Sequence, residues 1–520
     1  MLRSIATVGG WTMASRLLGF ARDILIARVL GAGPEADAFF VAFRFPNLFR
    51  RLFAEGAFNA AFVPLYSRAL TEHGRLVAGR FAEETLALMI AVLLGLTLLA
   101  EVSMPWLMVA IAPGFTGNAA KYALAVQFTR ITFPYLLFMA LAALYGGVLN
   151  AHRRYAHAAA APILLNLVMI AGMALAAPIW GRPGLVLAWS VALAGIGQFL
   201  WLTLAARRSE TALSLSPWPA LTPEVKRLLK LMVPGVIGSG AMQINLLIGT
   251  MIASLAPGAV SYLYYADRIY QLPLGVIGSA IGVVLLPEIT RSLRSGKGAA
   301  AGESLNRAIE LGLVISLPAA IALIAVPTEI IAVLFERGAF GPEATRATAA
   351  TLAAFATGLP AYVLVKVLAP PFYAREDTQT PFRCAIAAMI ANTALSLAFF
   401  PIFGFIGIAL ATALASWLNL GLLWRGLRRN RFLEVDTRLR RRGPRILLVS
   451  IVMGAGLIAG AAGLEEALAG PLTGRWAGLA ALVAGGGLSY FALALAFGAI
   501  ERSALRLLLR RGFRRDASTP

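Results

Sequence analysis

One cysteine in 520 residues rules out an internal disulfide, and Cys384 reads as a small apolar filler within a helix. Histidine is almost as scarce: His73, His152 and His157 fall in short polar connections, are expected to be solvated there, and make no metal site. Charge is sparse and lopsided, at 14% of residues, with 46 Lys and Arg against 25 Asp and Glu. There is no P-loop, no His-Glu-x-x-His and no Ser-His-Asp set, so the sequence supports neither an enzyme nor an ATP-driven machine. An ordinary signal peptide is missing too. The apolar run after Arg3 is interrupted by Arg16 and Arg22 and continues without a small-residue cleavage site, so the first helix is expected to be retained.

What the chain has in abundance is apolar length. Its residues are 59% hydrophobic, against roughly 45–50% in soluble domains, and the mean hydropathy is +0.77. The reading is an all-α polytopic membrane protein. Stretches long enough to span, at about 20 residues each, fall near 5–30, 36–66, 84–112, 122–149, 158–178, 184–205, 229–255, 260–289, 306–334, 345–373, 381–401, 405–425, 445–464 and 476–499, about fourteen helices. Pro46, Pro134, Pro273, Pro318 and Pro360 lie inside them and predict bends. A net charge of +21 would point to nucleic acid in a soluble protein; set between apolar runs it reads as topology, with no nucleic-acid partner. Every second connection is basic, from Arg68, Arg75 and Arg80 through the cluster Arg425 to Arg445, whereas the connections between carry few, such as Lys121 and Arg182. By the positive-inside rule both termini are cytoplasmic, which an even number of helices satisfies.

Internal repetition divides the chain. Pro134 and Asn166 recur 226 positions later as Pro360 and Asn392, and FVPLYSRAL (62–70) echoes VLLPEITRSL (284–293). Two parallel six-helix repeats are expected, residues 1–210 and 221–430, with a substrate site at their interface. Two further helices follow at 440–500, then a basic tail at 501–520.

The charges inside the apolar stretches carry the function. Between Arg16 and Glu55 lie Arg22, Asp23, Asp37, Arg44, Asn47, Arg50 and Arg51. A central Arg costs roughly 2.5–3.5 kcal/mol on insertion scales, so four facing lipid would cost about 10–14 kcal/mol. A polar, cationic cavity suited to an anionic ligand is the alternative. Arg16 and Asp23 share a helix face, and Gly19 between them offers local unwinding that turns Arg22 inward. Asp37, Arg44 and Arg51 repeat every seven residues, and Pro46 is expected to break the helix before Asn47 and Arg50. For Arg44 and Arg51 structural ion pairs and snorkelling compete evenly with a cavity role. Asp267 and Arg268, in SYLYYADRIYQLPLG (261–275), are neighbours that point apart on a helix, and Arg268 is the counterpart of the first cluster. Lys366 is embedded in the same manner, and close to the cytoplasmic end of its helix snorkelling competes evenly with a cavity role.

The stretch SRLLGFARDILIARVLGAGPEADAFFVAFRFPNLFRRLFAEGAFNAAFVP (15–64) resembles the amino-terminal signature of the MurJ/MviN lipid II flippases. YYADRIYQLPLGVIGSAIGVVLLPEI (264–289) and VKVLAPPFYAREDTQTP (365–381) extend the resemblance. It implies the multidrug/oligosaccharidyl-lipid/polysaccharide exporter superfamily, with two six-helix lobes in a V shape and two C-terminal helices bearing a groove for a polyprenyl tail. Carried over by motif, the family's cavity residues are Arg16, Arg22, Asp37, Arg50 and Arg268, supported by Asp23, Asn47 and Glu55. For the sodium site of some members, Asn392 and Thr393 are the matching positions, but the expected acidic partners are missing. Membrane potential is the expected drive, no cofactor is implied, and coupling to Na+ or H+ stays open.

The resemblance implies lipid II as substrate, a disaccharide-pentapeptide joined to a polyprenyl chain through a diphosphate. A monomer in the bacterial cytoplasmic (inner) membrane, among membrane lipids and cell-wall synthesis proteins, would move it to the periplasmic leaflet by alternating access. Another lipid-linked oligosaccharide is the nearest alternative substrate; a cation exporter would need unpaired acids. A non-transporting scaffold for envelope synthesis would leave the arginines unexplained.

Overall fold

The computed structural model describes residues 2–50, 58–214, 219–294, 298–430 and 432–500. Helix dominates, and no strand occurs among the described residues. The first nine helices are α1 (Leu2–Leu30), α2 (Pro34–Phe49), α3 (Asn59–Ile111), α4 (Ala119–Thr132), α5 (Tyr135–Ala151), α6 (Tyr155–Ala171), α7 (Ala177–Trp180), α8 (Pro183–Arg208) and α9 (Pro223–Ala253). Then come α10 (Ala259–Arg294), α11 (Gly298–Ala325), α12 (Pro327–Phe335), α13 (Pro342–Ala356), α14 (Leu359–Leu368), α15 (Pro370–Tyr373), α16 (Gln379–Phe403) and α17 (Phe405–Arg429). The last are α18 (Thr437–Gly463), α19 (Glu465–Ala469) and α20 (Leu472–Ala496).

Helix covers described residues in each of the apolar stretches read from the sequence. Among the described residues, ten spans are long and apolar enough to cross a membrane. α1, interrupted by Arg16, Arg22 and Asp23, and α2, with 16 residues, are not among the ten.

The helices gather into two compact units, residues 1–262 with 337–344, and residues 263–336 with 345–520. α9 thus groups with the first unit. In that unit an aromatic stack of Phe58, Phe62, Tyr66 and Phe81, with ring centroids 5.0–5.6 Å apart, anchors the core with Leu144, Tyr145, Leu149 and Leu202. Residues 337–344 join this unit because the Ala339 amide donates to the Arg28 carbonyl at 2.8 Å. Gly31 makes room for them: its φ is +67°, and a Cβ there would stand 2.4 Å from the Ala339 carbonyl oxygen. In the second unit α18 and α20 close on α11 and α12 through Ile446, Val449, Met453, Leu457, Tyr490 and Val326. Glu310 of α11 accepts from Arg307 at 2.7 Å, Arg438 at 3.0 Å and Arg442 at 2.7 Å, so part of the basic run that opens α18 is paired rather than free.

The repeated prolines give repeated breaks. Pro134 sits between α4 and α5, and Pro360 lies at the start of α14, just after the break from α13. Pro46 behaves otherwise than its sequence implies, since α2 runs through it to Phe49. A proline removes the amide that would bond to the carbonyl four residues earlier, and a neighbouring helix replaces that bond. Thr132 Oγ1 donates to the Ala42 carbonyl behind Pro46 at 3.0 Å, and the Tyr490 hydroxyl to the Val314 carbonyl behind Pro318 at 2.8 Å. Arg130 Nε does the same for the Glu101 carbonyl behind Pro105 at 3.1 Å. Tyr490→Phe therefore leaves a carbonyl without a donor and is expected to cost about 1–3 kcal/mol, read as a lower unfolding temperature of the detergent-solubilised protein.

Candidate functional site: buried guanidinium and carboxylate clusters

α1 is one uninterrupted helix, so Arg22 turns inward without the unwinding expected at Gly19. Gly19 instead lets α6 approach: a Cβ on it would lie 3.6 Å from the Asn166 amide group. Arg22 and Asp23 are buried, at 5% and 2% exposure, and pair with each other although they are neighbours in sequence. The flexible arm of Arg22 wraps far enough for Nε and Nη2 to donate to Asp23 Oδ1 at 3.0 and 2.7 Å. Its Nη1 donates to Asn166 Oδ1 at 3.0 Å, and Asn166 Nδ2 donates to the Ser15 carbonyl at 3.0 Å. The ring of Phe43 lies 5.7 Å from the guanidinium carbon. Asp23 thus fixes one edge of a planar fork and Asn166 its other end.

The remaining candidates on α1 and α2 fall at separate places. Arg16 is exposed on α1. Asn47 donates to the Phe43 carbonyl at 2.7 Å and accepts from Arg50 Nε at 2.9 Å, holding Arg50 against the end of α2. Arg44 donates to Thr250 Oγ1 on α9 at 3.1 Å. Glu55 and Arg51 lie outside the described residues.

Asp37 is fully buried, and four donors surround it. Lys121 Nζ and the Gly258 amide reach Oδ2 at 2.6 and 2.9 Å; the Ser261 amide and hydroxyl reach Oδ1 at 2.9 and 2.7 Å. A carboxylate has about four acceptor sites, so in this arrangement Asp37 ties α2 to α4 and to the start of α10 and has none left for a ligand. Sequence reasoning missed its partner. Lys121 stands in a connection otherwise poor in basic residues, yet it is 6% exposed, in the first turn of α4, with Nζ 4.0 Å from the Phe115 ring centroid. A lone cation in such a connection was the available signal.

In the second unit, Arg268 stacks on Tyr264, 4.8 Å from the ring centroid, and donates to its hydroxyl at 3.0 Å. Asp267 accepts from Gln271 one turn on. Lys366 lies 5.6 Å from the Tyr362 ring. Asn392 Oδ1 accepts from the hydroxyls of Ser396 and Thr412, each at 3.4 Å, with Thr393 half-buried beside it. Among the described residues no group of three His, Cys, Asp or Glu is placed to hold a metal. Outside the spans, His152 meets the Tyr66 hydroxyl at 3.2 Å, and burial, aided by Arg75 and Arg154, pushes its imidazole below the ordinary range. His152 is thus a partnered group rather than the freely solvated one its sequence context implies.

Long apolar helices that bury arginine and carboxylate pairs make a multi-span membrane protein, and the fold defines its class. It matches a multidrug transporter of the MOP superfamily, solved in an inward-facing conformation, with a TM-score of 0.68 over 82% of this chain and 98% of that one, at 16% identity. The family is closer to hand. The sequence model described as "Lipid II flippase MurJ" matches residues 26–469. A "Probable lipid II flippase MurJ" of Rhizobium tropici is 48% identical over 462 residues, 88% of this chain and 86% of that protein. The "Lipid II flippase MurJ" of Burkholderia cenocepacia is 36% identical over 433 residues, 82% of this chain and 84% of that protein. The solved "Lipid II flippase MurJ, inward closed conformation" superposes with a TM-score of 0.78 at 26% identity, covering 94% of this chain and 98% of that one. The chain belongs to the lipid II flippase MurJ family.

Proposed function

We infer that this protein moves lipid II from the cytoplasmic to the periplasmic leaflet by alternating access. The observation that carries the reading is the family match over residues 26–469 on a chain that keeps charged Arg22 and Asp23 buried within its first helix. Arg16, Arg22, Arg50 and Arg268 are the residues assigned to the anionic headgroup, which they would meet through charge-assisted hydrogen bonds. Asp23 and Asn47 orient Arg22 and Arg50, as their hydrogen bonds support. The protein resides in the bacterial cytoplasmic membrane with both termini on the cytoplasmic side, and it acts as a transporter rather than an enzyme.

An inside-negative potential favours outward movement of an anion by about 2.3 kcal/mol per charge per 100 mV. Return of the emptied cationic carrier moves positive charge toward the negative inside and is favoured by the same field, so coupling to Na+ or H+ stays open. The test in cells is depletion of the protein with measurement of which lipid-linked precursor accumulates: lipid II accumulating on the cytoplasmic face supports the reading, and accumulation of another carrier lipid alone contradicts it.

α18 and α20 supply the polyprenyl-facing surface. Their small residues divide by surroundings: a Cβ on Gly454 would meet Ile321 at 2.4 Å and one on Gly486 would meet Leu457 at 2.8 Å, whereas Gly456, Gly485 and Gly487 face open space. The first pair serves close packing. The second set is free for a lipid chain. Gly485→Leu and Gly487→Leu are expected to slow transport of a long-tailed substrate far more than of a short-tailed analogue in reconstituted vesicles. Equal slowing of both, with stability unchanged, would remove these helices from tail guidance.

A further inference from the structure

Of the three carbonyls orphaned by Pro46, Pro318 and Pro105, two are capped by the neutral hydroxyls of Thr132 and Tyr490. The third takes a guanidinium, that of Arg130 on the Glu101 carbonyl. A hydroxyl suffices for such a bond, so the charge on Arg130 needs a separate cause. Glu101 is ten residues before the end of α3 at Ile111, hence about 15 Å along the helix at 1.5 Å per residue. That is near the middle of a hydrocarbon layer about 30 Å thick. The same part of α3 exposes Leu98, Leu99, Val102 and Trp106, an apolar face.

Two features mark the place. Glu101 is half-buried, and its Oε1 is sealed from solvent with no hydrogen-bond partner among the described residues. Beside it a groove of about 430 Å³ is lined by Pro105, Tyr122, Val126, Gln127, Arg130 and Ile131, with Arg130 exposed. Arg130 is the charge that acts on Glu101, yet it donates to the backbone oxygen of that residue. The other charge of α4, Lys121, is held by Asp37, and among the described residues the other elements packed on α3 bring no competing charge. α5 and the turn Pro113–Gly117 have no charged residue, and the charges of α9 (Glu224, Lys226, Arg227 and Lys230) lie in its first turns. The Tyr122 hydroxyl is engaged with the Pro105 carbonyl at 2.7 Å.

We propose that Glu101 binds a proton within the bilayer and that its protonation decides where Arg130 donates. An ionised carboxylate at this depth would draw the adjacent guanidinium onto both its oxygens. The arrangement seen is that of the neutral acid, which leaves Arg130 on the carbonyl. Ionisation sends the proton through the groove to the aqueous phase, and Arg130 turns to the new carboxylate. The Glu101 carbonyl then loses its donor where Pro105 already denies α3 a backbone bond, and α3 bends more easily at Pro105. Proton binding and helix bending become one equilibrium. The site occupies the exposed side of α4, whereas Phe128, Thr129 and Thr132 on its buried side face the core, so the inference does not rest on the identity of the transported lipid.

Infrared pH-difference spectroscopy on the full-length protein in lipid nanodiscs tests it. The wild type should show a protonated-carboxyl C=O stretch at neutral pH that vanishes at higher pH and that Glu101→Gln lacks. Pro105→Ala gives the carbonyl its amide donor back, frees Arg130 for the carboxylate, and should move the titration of that band down by about one pH unit, tenfold in proton affinity. Arg130→Gln keeps a donor for the carbonyl but removes the cation, and should move it up by a similar amount. A wild-type band that Glu101→Gln leaves intact, or a titration that moves with neither Pro105→Ala nor Arg130→Gln, overturns the proposal.

Discussion

Asp37→Ala is expected to destabilise the first unit by about 3–5 kcal/mol, the range for stranding one member of a buried ion pair. Lys121, 6% exposed, would keep its ammonium group over the Phe115 ring without its carboxylate partner, and the Gly258 and Ser261 amides would lose their common acceptor. Thermal unfolding of the purified protein in detergent reads the loss. The double variant Asp37→Leu with Lys121→Met removes both charges and should recover much of it, because replacing a whole buried pair by apolar groups is often neutral. A loss below about 1 kcal/mol for Asp37→Ala would mean that Lys121 finds water or another partner.

Arg22→Ala should abolish complementation of cells depleted of the protein, and it should also weaken the fold, since Asp23 is 2% exposed and would lose the guanidinium that donates to it twice. The two effects are separable. Arg22→Ala combined with Asp23→Asn strands no charge, so stability should return while transport stays lost. Arg22→Lys should restore transport only in part, because an ammonium group cannot reproduce the fork that meets Asp23 with one edge and Asn166 with its end. Arg268→Ala gives the cleaner functional reading: Arg268 is half-buried and stacked on Tyr264, and Asp267 keeps its bond from Gln271, so transport should fall with membrane level and unfolding temperature unchanged. Growth of both alanine variants at native expression would exclude a direct role for these arginines.

Helix placement was legible because it depends on apolar length, which the sequence displays residue by residue. The cationic character of the first two helices was legible for the same reason. Pairing was not. Face geometry predicts that adjacent residues point apart, yet Arg22 reaches Asp23 because a long side chain is not confined to the direction in which it leaves the backbone. Asp37 finds Lys121, 84 residues on, and Gly258, 221 residues on; no local pattern encodes either distance. Asn166 was visible only as half of a repeated pair with Asn392, and its contact with Arg22, 144 residues away, is not encoded in that repeat. Pro46 misled for a related reason. A proline breaks a helix only when the freed carbonyl goes unmet, and Thr132, which meets it, sits 90 residues away.

The central claim is that the chain itself moves lipid II, and transbilayer movement in a defined membrane tests it most directly. Purified protein is reconstituted into vesicles carrying a traceable lipid II in one leaflet, and its arrival in the other is followed with and without an inside-negative potential. The account predicts transfer by the wild type well above protein-free vesicles, faster under that potential for movement out of the negative side, and transfer at the protein-free rate for Arg268→Ala. Lipid II that crosses no faster with the wild-type protein than without it, or that crosses equally well with Arg268→Ala, would contradict it.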